Sequence, residues 1–357
     1  MSGKSAGSSW APASRRPIVV TDQITESEWD AFVAAHPAAT GYHAWAWRRV
    51  FEQAFGHETC YLAARRDTEV VGVLPLVAFR SWLFGRFMVS LPFVNYGGVL
   101  ASDAAAVDEL IAAASRAASA RGCRHLELRH TSRRLPELPV KQHKVGMLLA
   151  LATDATKAWD QLDRKVRNQV RKAQKSELVS AVGGRELLDE FYTIFAVNMR
   201  DLGTPVYGRG FFARVLEEFP DAARVHVVRQ GTTPVAAGIT FAHRRTIEVP
   251  WASSLKAYRA LCPNNLLYWS IIEHAVSSGF QTLDFGRSTP HEGTYEFKRQ
   301  WGAEPTPLFW EYALVSAESM PDHSPANPKF KSAIELWKRL PVPVATAIGP
   351  HIVRSIP

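Results

Sequence analysis

The segments YLAARRDTEVVGVLPLVAF (residues 61–79) and VHVVRQGTTPVAAGITFAH (residues 225–243) share one plan: a strand, a polar turn and a second strand. Matching positions carry the same residue types, with Arg65 opposite Arg229 and Thr68 opposite Thr232. Both segments are rich in the β-branched residues that favour strands. A repeat spaced by about 160 residues predicts two copies of one α/β unit in the chain.

Each copy continues with a helix that ends at a glycine and leads into a strand with one acid. These phrases are ASARGCRHLELR, with Gly122 and Glu127, and VSSGFQTLDFGR, with Gly279 and Asp284. Glycine just past the last turn is a common helix stop. The pattern predicts an α/β (α+β) fold of two tandem domains, each a mixed sheet flanked by helices, joined by a basic linker helix. The predicted divisions are a disordered lead (1–17), a first domain (18–155), a second domain (156–317) that includes the basic helix (157–176), and a tail (318–357).

The composition is that of an ordinary globular protein with a basic balance. The 357 residues are 46% hydrophobic and 21% charged, with a net charge of +8, so we expect acidic partners such as nucleic acid, phosphate-bearing substrates or an anionic membrane face. The three cysteines (Cys60, Cys123 and Cys262) form no CxxC pair, which favours a reducing cytoplasm. No apolar run is long enough to cross a membrane.

The segment LDFGRSTPHEGTYEFKRQWG (residues 283–302) predicts a binding site. It passes from a strand through a loop with cations, hydroxyls and two glycines into a short helix. Tyr295, Lys298 and Arg299 stand three and four positions apart and share one side of that helix. Such a junction suits an anionic ligand, because helix N-termini offer free N–H groups. The alternative is a solvated loop with surface charges.

The linker helix between the two copies is strongly basic. Residues 164–175 contain six Lys and Arg residues and no acid. At 100° per residue, Arg164, Arg171 and Lys175 share one face. We expect this face to bind phosphates of RNA, a nucleotide diphosphate or a lipid diphosphate; the alternative is a merely solvated face.

Four phrases in their order resemble the FemAB/FemX superfamily of tandem GNAT-like acyltransferases. They are ATGYHAWAWRRVFEQAFGHE (39–58), LPFVNYGG (91–98), LDRKVRNQVRKAQK (162–175) and FGRS…GTYEFKRQWGAEP (285–305). The tail, residues 327–357, is similar to the FemAB-like branch encoded with exopolysaccharide and PEP-CTERM/exosortase systems. The resemblance implies transfer of an acyl or aminoacyl group to an amine of an envelope or exopolysaccharide precursor. Better-known members take the aminoacyl group from tRNA, and they often grip it with a helical hairpin for which this chain has no room between Met199 and Phe211.

Acyl transfer to an amine needs a proton acceptor, a positioned donor and an electrophilic stabiliser. The predicted catalytic residues are Lys298, placed beside the acyl donor by the resemblance, Asp284 and Glu292. Asp284 lies on a predicted strand, and a structural role as a buried hydrogen-bonding residue is at least as well supported for it as a catalytic role. The predicted substrate-binding residues are Arg287, Tyr295, His291, Tyr42, Trp45, Asn95, Tyr96, Tyr207 and Tyr258. The predicted phosphate- or donor-binding residues are Arg164, Arg171, Lys175, Arg259, Asn264 and Asn265.

The donor remains open between aminoacyl-tRNA and acyl-CoA. The expected coenzyme A loop, KAYRALCPNN (256–265), has no glycine, which weakens the coenzyme A alternative. We expect no tightly bound cofactor and no metal, because the histidines lack ligand spacing. The expected partners are a phosphate-bearing precursor and tRNA, but not DNA. A cytoplasmic enzyme is predicted. The alternatives are a coenzyme-A-dependent N-acyltransferase that acts on a small metabolite or sugar amine, and a non-catalytic module that binds an anionic polymer. An apolar stripe in the tail (Phe330, Ala333, Ile334 and Trp337) predicts docking onto the protein body, or contact with the inner membrane.

Overall fold

A computed structural model describes residues 16–81, 84–321 and 328–356. The chain folds into two mixed β-sheets with helices on their faces. This architecture confirms the predicted α/β class with two related halves. Most of the predicted lead lies outside the described residues.

The elements of the first half follow the predicted order. The strands are β1 (Ile18–Thr21), β2 (Glu58–Arg66), β3 (Glu69–Ser81), β4 (Gly85–Val89), β5 (Leu100–Ala101), β6 (His125–His130) and β7 (Val140–Lys141). The helices are α1 (Glu26–Ala35), α2 (Ala46–Phe55) and α3 (Ala104–Ala120). A 3₁₀ turn, Gly41–His43, precedes α2.

The second half repeats this order after two linker helices. Its strands are β8 (Val145–Ala150), β9 (Leu178–Gly183), β10 (Ala223–Gln230), β11 (Thr233–His243), β12 (Thr246–Ser254), β13 (Thr282–Asp284), β14 (Glu304–Pro307) and β15 (Phe309–Leu314). Its helices are α4 (Ala155–Gln161), α5 (Arg164–Lys175), α6 (Leu188–Leu202), α7 (Arg209–Glu218), α8 (Pro263–Ser277) and α9 (Gly293–Arg299). The 3₁₀ turns Arg185–Leu187 and Lys256–Leu261 precede α6 and α8.

The two sheets exchange a strand, which corrects the predicted domain boundary. One sheet has the order β1-β2-β3-β4-β6-β15-β7, with β5 paired to β3. The other has the order β14-β8-β13-β12-β11-β10-β9. Strand β8, predicted in the first domain, therefore belongs to the second sheet, and β15 returns to the first. Strand β15 lies beside β6 in the first sheet, as β8 lies beside β13 in the second. Because the two positions are equivalent, the sequence pattern of either strand does not identify the sheet to which it belongs.

The repeat seen in the sequence is present in structural detail. The pairing of β2 with β3 shifts register between Ala64 and Arg65, and that of β10 with β11 shifts between Val228 and Arg229. Each arginine forms an ion pair with a glutamate of a neighbouring helix: Arg65 with Glu28 of α1, and Arg229 with Glu190 of α6. A shared bulge and a shared ion pair support a duplicated unit.

The halves share an apolar core rather than bordering an open cleft. Helix α2 packs against α7, and the Trp47 ring lies 5.0 Å from Phe219 and 5.5 Å from Phe241, both measured between centroids. Trp47 is fully buried. Burial of large aromatic surfaces at this contact favours a fixed arrangement of the two halves.

The tail docks onto the second half through α10 (Pro328–Trp337) and α11 (Val342–Val353). Trp337 is buried, and Ile334 lies against Gly203 at the end of α6. The predicted docking of the stripe is thus confirmed for these two residues, while the Phe330 side chain lies outside the described residues. Across the described ranges, no helix is both long and apolar enough to span a bilayer.

Candidate active site

A buried pair of carboxylates lies on two adjacent parallel strands, at the point where the shorter strand β13 ends. Strands β12 and β13 pair in a register that sets Glu248 directly opposite Asp284. Directly opposed residues of paired strands point to the same face of a sheet. Glu248 is 4% exposed and Asp284 is 2% exposed. Two acids held together away from water are unfavourable unless one keeps its proton.

The first half supplies the groups that contact this pair. The Tyr96 hydroxyl lies 2.6 Å from Asp284 Oδ2 and 3.2 Å from Glu248 Oε2. The Asn95 side-chain amide donates to Glu248 Oε1. Since a hydroxyl has one hydrogen, Tyr96 donates to Asp284 at the shorter distance and can accept from a protonated Glu248. Asparagine and tyrosine of the NYGG phrase thus complete a site built on the other half.

The electrostatics assign different protonation states to the two acids. Burial, together with the neighbouring Asp284 charge, raises the pKa of Glu248 to about 8. Burial also raises the pKa of Asp284, but hydrogen bonds from Tyr96 and the Gly286 N–H, 2.7 Å from Oδ1, oppose this rise, as does Lys298. The contacts that oppose the rise on Asp284 favour the negative charge there and the proton on Glu248.

The raised pKa predicts that Glu248 lowers the stability of the protein as the pH rises. Between the ordinary pKa of 4.5 and about 8, the folded state keeps a proton that the unfolded state has lost. The free energy of unfolding contributed by Glu248 then falls by up to about 1.4 kcal/mol per pH unit in this window. Glu248→Gln removes this loss. Urea denaturation at pH 6 and pH 8 should give a smaller decrease for the variant than for the wild type, and equal decreases would contradict the assignment.

Lys298 reaches the same site from helix α9. Its Nζ donates to the carbonyl oxygens of Gly286 (3.1 Å) and Arg287 (3.0 Å), which lie two and three residues after Asp284. Burial lowers its pKa to about 8, while Asp284 and Glu248 oppose this decrease. Two of the three N–H donors are used on the backbone, so one remains for a ligand.

Gly286 permits the sharp turn that brings these groups together. Its φ is +73°, and a Cβ there would lie 3.0 Å from the Val249 carbonyl and 3.2 Å from Asn95 Nδ2. Any side chain would strain the backbone and crowd the amide that contacts Glu248. Gly286 is one of the glycines in the segment of residues 283–302, and this close approach requires a glycine there.

The structure brings several other predicted residues toward this site. Tyr42 is buried, and its ring lies 5.3 Å from that of Tyr96. Burial and the Glu248 charge raise the pKa of Tyr42. Tyr207 lies near Arg287, whose positive charge opposes the rise that burial causes in the tyrosine pKa. Tyr42 and Tyr207 therefore border the candidate site.

Other predicted residues lie elsewhere. Glu292, a predicted catalytic residue, and His291 are exposed at the start of α9. Glu292 is therefore not part of the buried carboxylate pair. Tyr295 is a buried core residue. Trp45 packs against Trp29 and Tyr61 beneath Arg48. Tyr258 packs against the apolar core of the second half. Loop position in the sequence could not separate these packing roles from ligand contact.

The basic helix α5 borders an open groove of about 510 Å³. The groove is lined by Asp163, Arg164, Lys165, Asn168, Gln169 and Lys172. The predicted Arg171 and Lys175 do not line it, and Arg171 instead lies over the Trp159 ring at 5.3 Å. The helix buries Val166, Val170 and Ala173, and this packing turns Lys165 and Lys172 toward the groove.

The N-terminus of α8 adjoins this basic helix. The Asn265 amide donates to Gln169 Oε1 at 3.1 Å, while Asn264 is half-buried and Arg259 is exposed. Cys262, the residue before α8, makes no side-chain cap; Pro263 has no N–H, and the N–H groups of Asn265 and Leu266 donate to the Cys262 carbonyl oxygen. Strand β12 continues to Ser254, six residues beyond Glu248, which is its last residue paired with β13.

Glu248 is the main functional candidate absent from the predicted set. Its signal was present: the strand TIEVPWASS carries a single acid among apolar residues, as does the strand with Asp284. The register between β12 and β13 is what unites the two acids, and it depends on the intervening helix. In the part of the chain that the structure describes, no group of three potential metal ligands occurs.

Comparison with known proteins gives one family match in the second half. Residues 161–299 match the model of the acetyltransferase (GNAT) domain. This range contains the basic helix, both carboxylates and Lys298. No curated protein sequence matches the chain.

The whole fold is similar to several solved structures. FemX superposes with a TM-score of 0.64 at 15% identity, covering 88% of this chain and all of FemX. The structure of L-PGS from Bacillus licheniformis gives 0.54 at 11% identity, with 88% and 98% coverage. A tandem GNAT protein from the clavulanic acid biosynthesis pathway gives 0.52 at 12% identity, with 85% and 100% coverage. The chain is an acyltransferase with a GNAT domain at residues 161–299, in a fold shared with tandem GNAT proteins.

Proposed function

We propose that this enzyme transfers an acyl or aminoacyl group to an amine of a cell-envelope or exopolysaccharide precursor. The observation that supports this proposal most is the Glu248–Asp284 pair, which Tyr96 and Asn95 contact from the other half. An acceptor amine must lose a proton as it attacks, and a carboxylate of raised pKa is a stronger base than an ordinary one. The resemblance of residues 327–357 to proteins of exopolysaccharide and exosortase systems supports an exopolysaccharide-linked acceptor.

The reaction assigns one role to each group. The acceptor nitrogen attacks the acyl carbonyl carbon, and the ester C–O or thioester C–S bond of the donor breaks. The nitrogen's proton passes to the Tyr96 oxygen as the Tyr96 proton moves to Asp284. The free N–H of Lys298 stabilises the negative charge on the carbonyl oxygen or the leaving group. Glu248, which stays protonated, holds Tyr96 in place.

The donor is proposed to lie along the groove of α5 and the N-terminus of α8. The cations Arg164, Lys165 and Lys172 along this groove favour a phosphate-bearing donor there. Both aminoacyl-tRNA and acyl-CoA carry such phosphates. The six residues between α6 and α7 contain no helical hairpin of the kind that grips tRNA. The loop before α8 contains no glycine of the kind expected in a coenzyme A loop. These two features therefore do not distinguish between the donors.

Mass spectrometry of the acceptor tests the proposal. The enzyme is incubated with an amine-bearing precursor and either aminoacyl-tRNA or acyl-CoA. A mass increase equal to the acyl group, lost when Asp284 is replaced by Asn, supports transfer and identifies the donor. Absence of any product, with tight binding of RNA or glycan, would instead favour the non-catalytic binding module.

The groove predicts a salt-dependent contribution to donor binding. Arg164→Gln, Lys165→Gln and Lys172→Gln together should reduce the slope of log affinity against log salt by about 2, since each phosphate contact with a single strand contributes roughly 0.7. The control on the same helix is Arg171→Gln with Lys175→Gln, whose side chains lie outside the groove. Titration of donor at several salt concentrations measures both slopes. A larger change in the control would reject the groove as the donor site.

A further inference from the structure

Two arginines from different sheets lie against one tryptophan near the candidate active site. The Arg129 guanidinium carbon is 4.4 Å from the centre of the Trp310 ring, and that of Arg287 is 5.5 Å from it. Arg129 belongs to β6, Arg287 follows β13, and Trp310 lies on the returning strand β15. The exchange of strands thus builds this cluster at the junction of the halves.

The two guanidinium groups differ in their contacts with acids. Arg129 contacts Glu127 at 2.7 Å and donates to the Val94 carbonyl at 3.1 Å. Within the described ranges, Arg287 forms no ion pair, and its Nη1 is buried without a hydrogen-bond partner. A buried cation without an anion is unfavourable. Burial and the Arg129 charge accordingly lower the pKa of Arg287.

A lysine adds a second positive charge to the same region. Lys144 Nζ donates to the Thr289 hydroxyl at 2.6 Å, and burial together with the Arg287 charge lowers its pKa. Glu292 also faces Lys144, but among the described residues these two form no ion pair within 4 Å. Arg287 and Lys144 therefore present two positive charges that make no ion pair within 4 Å among the described residues, although Glu127 and Glu292, respectively, oppose the decrease of their pKa values.

We propose that Arg287, Lys144 and Trp310 form a subsite for a phosphoryl group of the acceptor. This inference rests on the proposed function, because it places a part of the acceptor beside the reacting centre. A phosphoryl dianion matches the charge of the two cations that lack a close ion pair, and its oxygens can accept hydrogen bonds from the guanidinium N–H groups. The Arg287 carbonyl accepts from Lys298 Nζ at 3.0 Å, so the subsite adjoins the active-site lysine. None of its three residues lines the groove of α5, which is assigned to the donor.

Isothermal titration calorimetry with inorganic pyrophosphate tests this subsite in the full chain. All proteins carry Lys165→Gln and Lys172→Gln, so that the α5 groove contributes little. Arg287→Gln should weaken pyrophosphate binding about tenfold or more, as expected for loss of a charge-assisted contact. The matched control is Arg48→Gln, because Arg48 lies over Trp45 at 4.9 Å in a similar stacking geometry elsewhere. The control should change the dissociation constant less than twofold.

Further arms separate the outcomes. Lys144→Gln, at a half-buried position, should weaken binding several-fold and provides the test if Arg287→Gln does not fold. Equal pyrophosphate affinity in the Arg287 or Lys144 variant and in the parent overturns the subsite, as does equal loss in the Arg48 control. Stronger binding of glutarate than of pyrophosphate also overturns it in favour of a carboxylate. The calorimetry contains no acyl donor and measures binding alone. A negative result would therefore reject the subsite without deciding whether the enzyme transfers an acyl group, which the mass-spectrometric test measures separately.

Discussion

Asp284→Asn is expected to lower the rate of acyl transfer by about 10²-fold or more, with the fold intact. Asn preserves the shape of the side chain and can still accept the Gly286 N–H, which lies 2.7 Å from Oδ1. It cannot take the proton that Tyr96 passes on. Loss of a positioned general base reduces rates by roughly 10²–10⁴. Single-turnover transfer of a labelled acyl group measures the effect, and circular dichroism verifies folding.

Glu248→Gln is the matched control for this prediction. Burial and the Asp284 charge raise the pKa of Glu248 to about 8, so that it is protonated at neutral pH, and glutamine resembles that neutral form. The rate should therefore fall less than about tenfold, well short of the loss in Asp284→Asn. If the Glu248 variant loses as much activity as the Asp284 variant, Glu248 carries the charge and the assignment of the two acids is wrong. If neither loses activity, the pair has a structural role.

The duplication explains why only one half carries this pair. Strands β4 and β6 pair in parallel in the first sheet, as β12 and β13 do in the second. Their register sets Val89 opposite Glu127, where the second half has Glu248 opposite Asp284. Glu127 accepts from Arg129 and from the Tyr312 hydroxyl at 2.9 Å. The first half thus has one acid, bound to an arginine, where the second half has two, and it contributes Tyr96 and Asn95 to the site.

Local sequence patterns were sufficient to predict the repeat and its elements. The hairpins around residues 61–79 and 225–243 depend on strand propensity and turn residues, which short segments encode. The exchange of β8 and β15 was not predictable in this way, because it depends on long-range pairing. The same holds for the site: Asp284, Lys298 and Tyr96 carry local signals, whereas Glu248, Trp310 and Lys144 acquire their roles only from contacts between distant segments.

The final prediction concerns Lys298, whose replacement by Ala should reduce turnover far more than acceptor binding. The ammonium group anchors the carbonyls of Gly286 and Arg287 and lies close enough to Asp284 and Glu248 for their charges to affect its pKa. Its loss removes both the electrophilic stabilisation and the fixed turn after Asp284. Removing one preorganised donor commonly lowers kcat by about 10²–10³-fold. Steady-state kinetics should show a fall in kcat with KM changed only slightly.

The pH profile distinguishes this electrophilic role from a merely structural one. Burial lowers the pKa of Lys298 to about 8, so turnover by the wild type should decrease above that pH as the ammonium loses its proton. Lys298→Arg keeps a charge at high pH and should shift this decrease upward, even if its overall rate is lower. Lys157→Ala, at an exposed lysine paired with Asp154, should leave both rate and profile unchanged. Glu248 also has a pKa of about 8, so both profiles are measured in the Glu248→Gln background. An alkaline limb that persists there unaltered in Lys298→Arg would show that Lys298 holds the loop after β13 without assisting the chemistry.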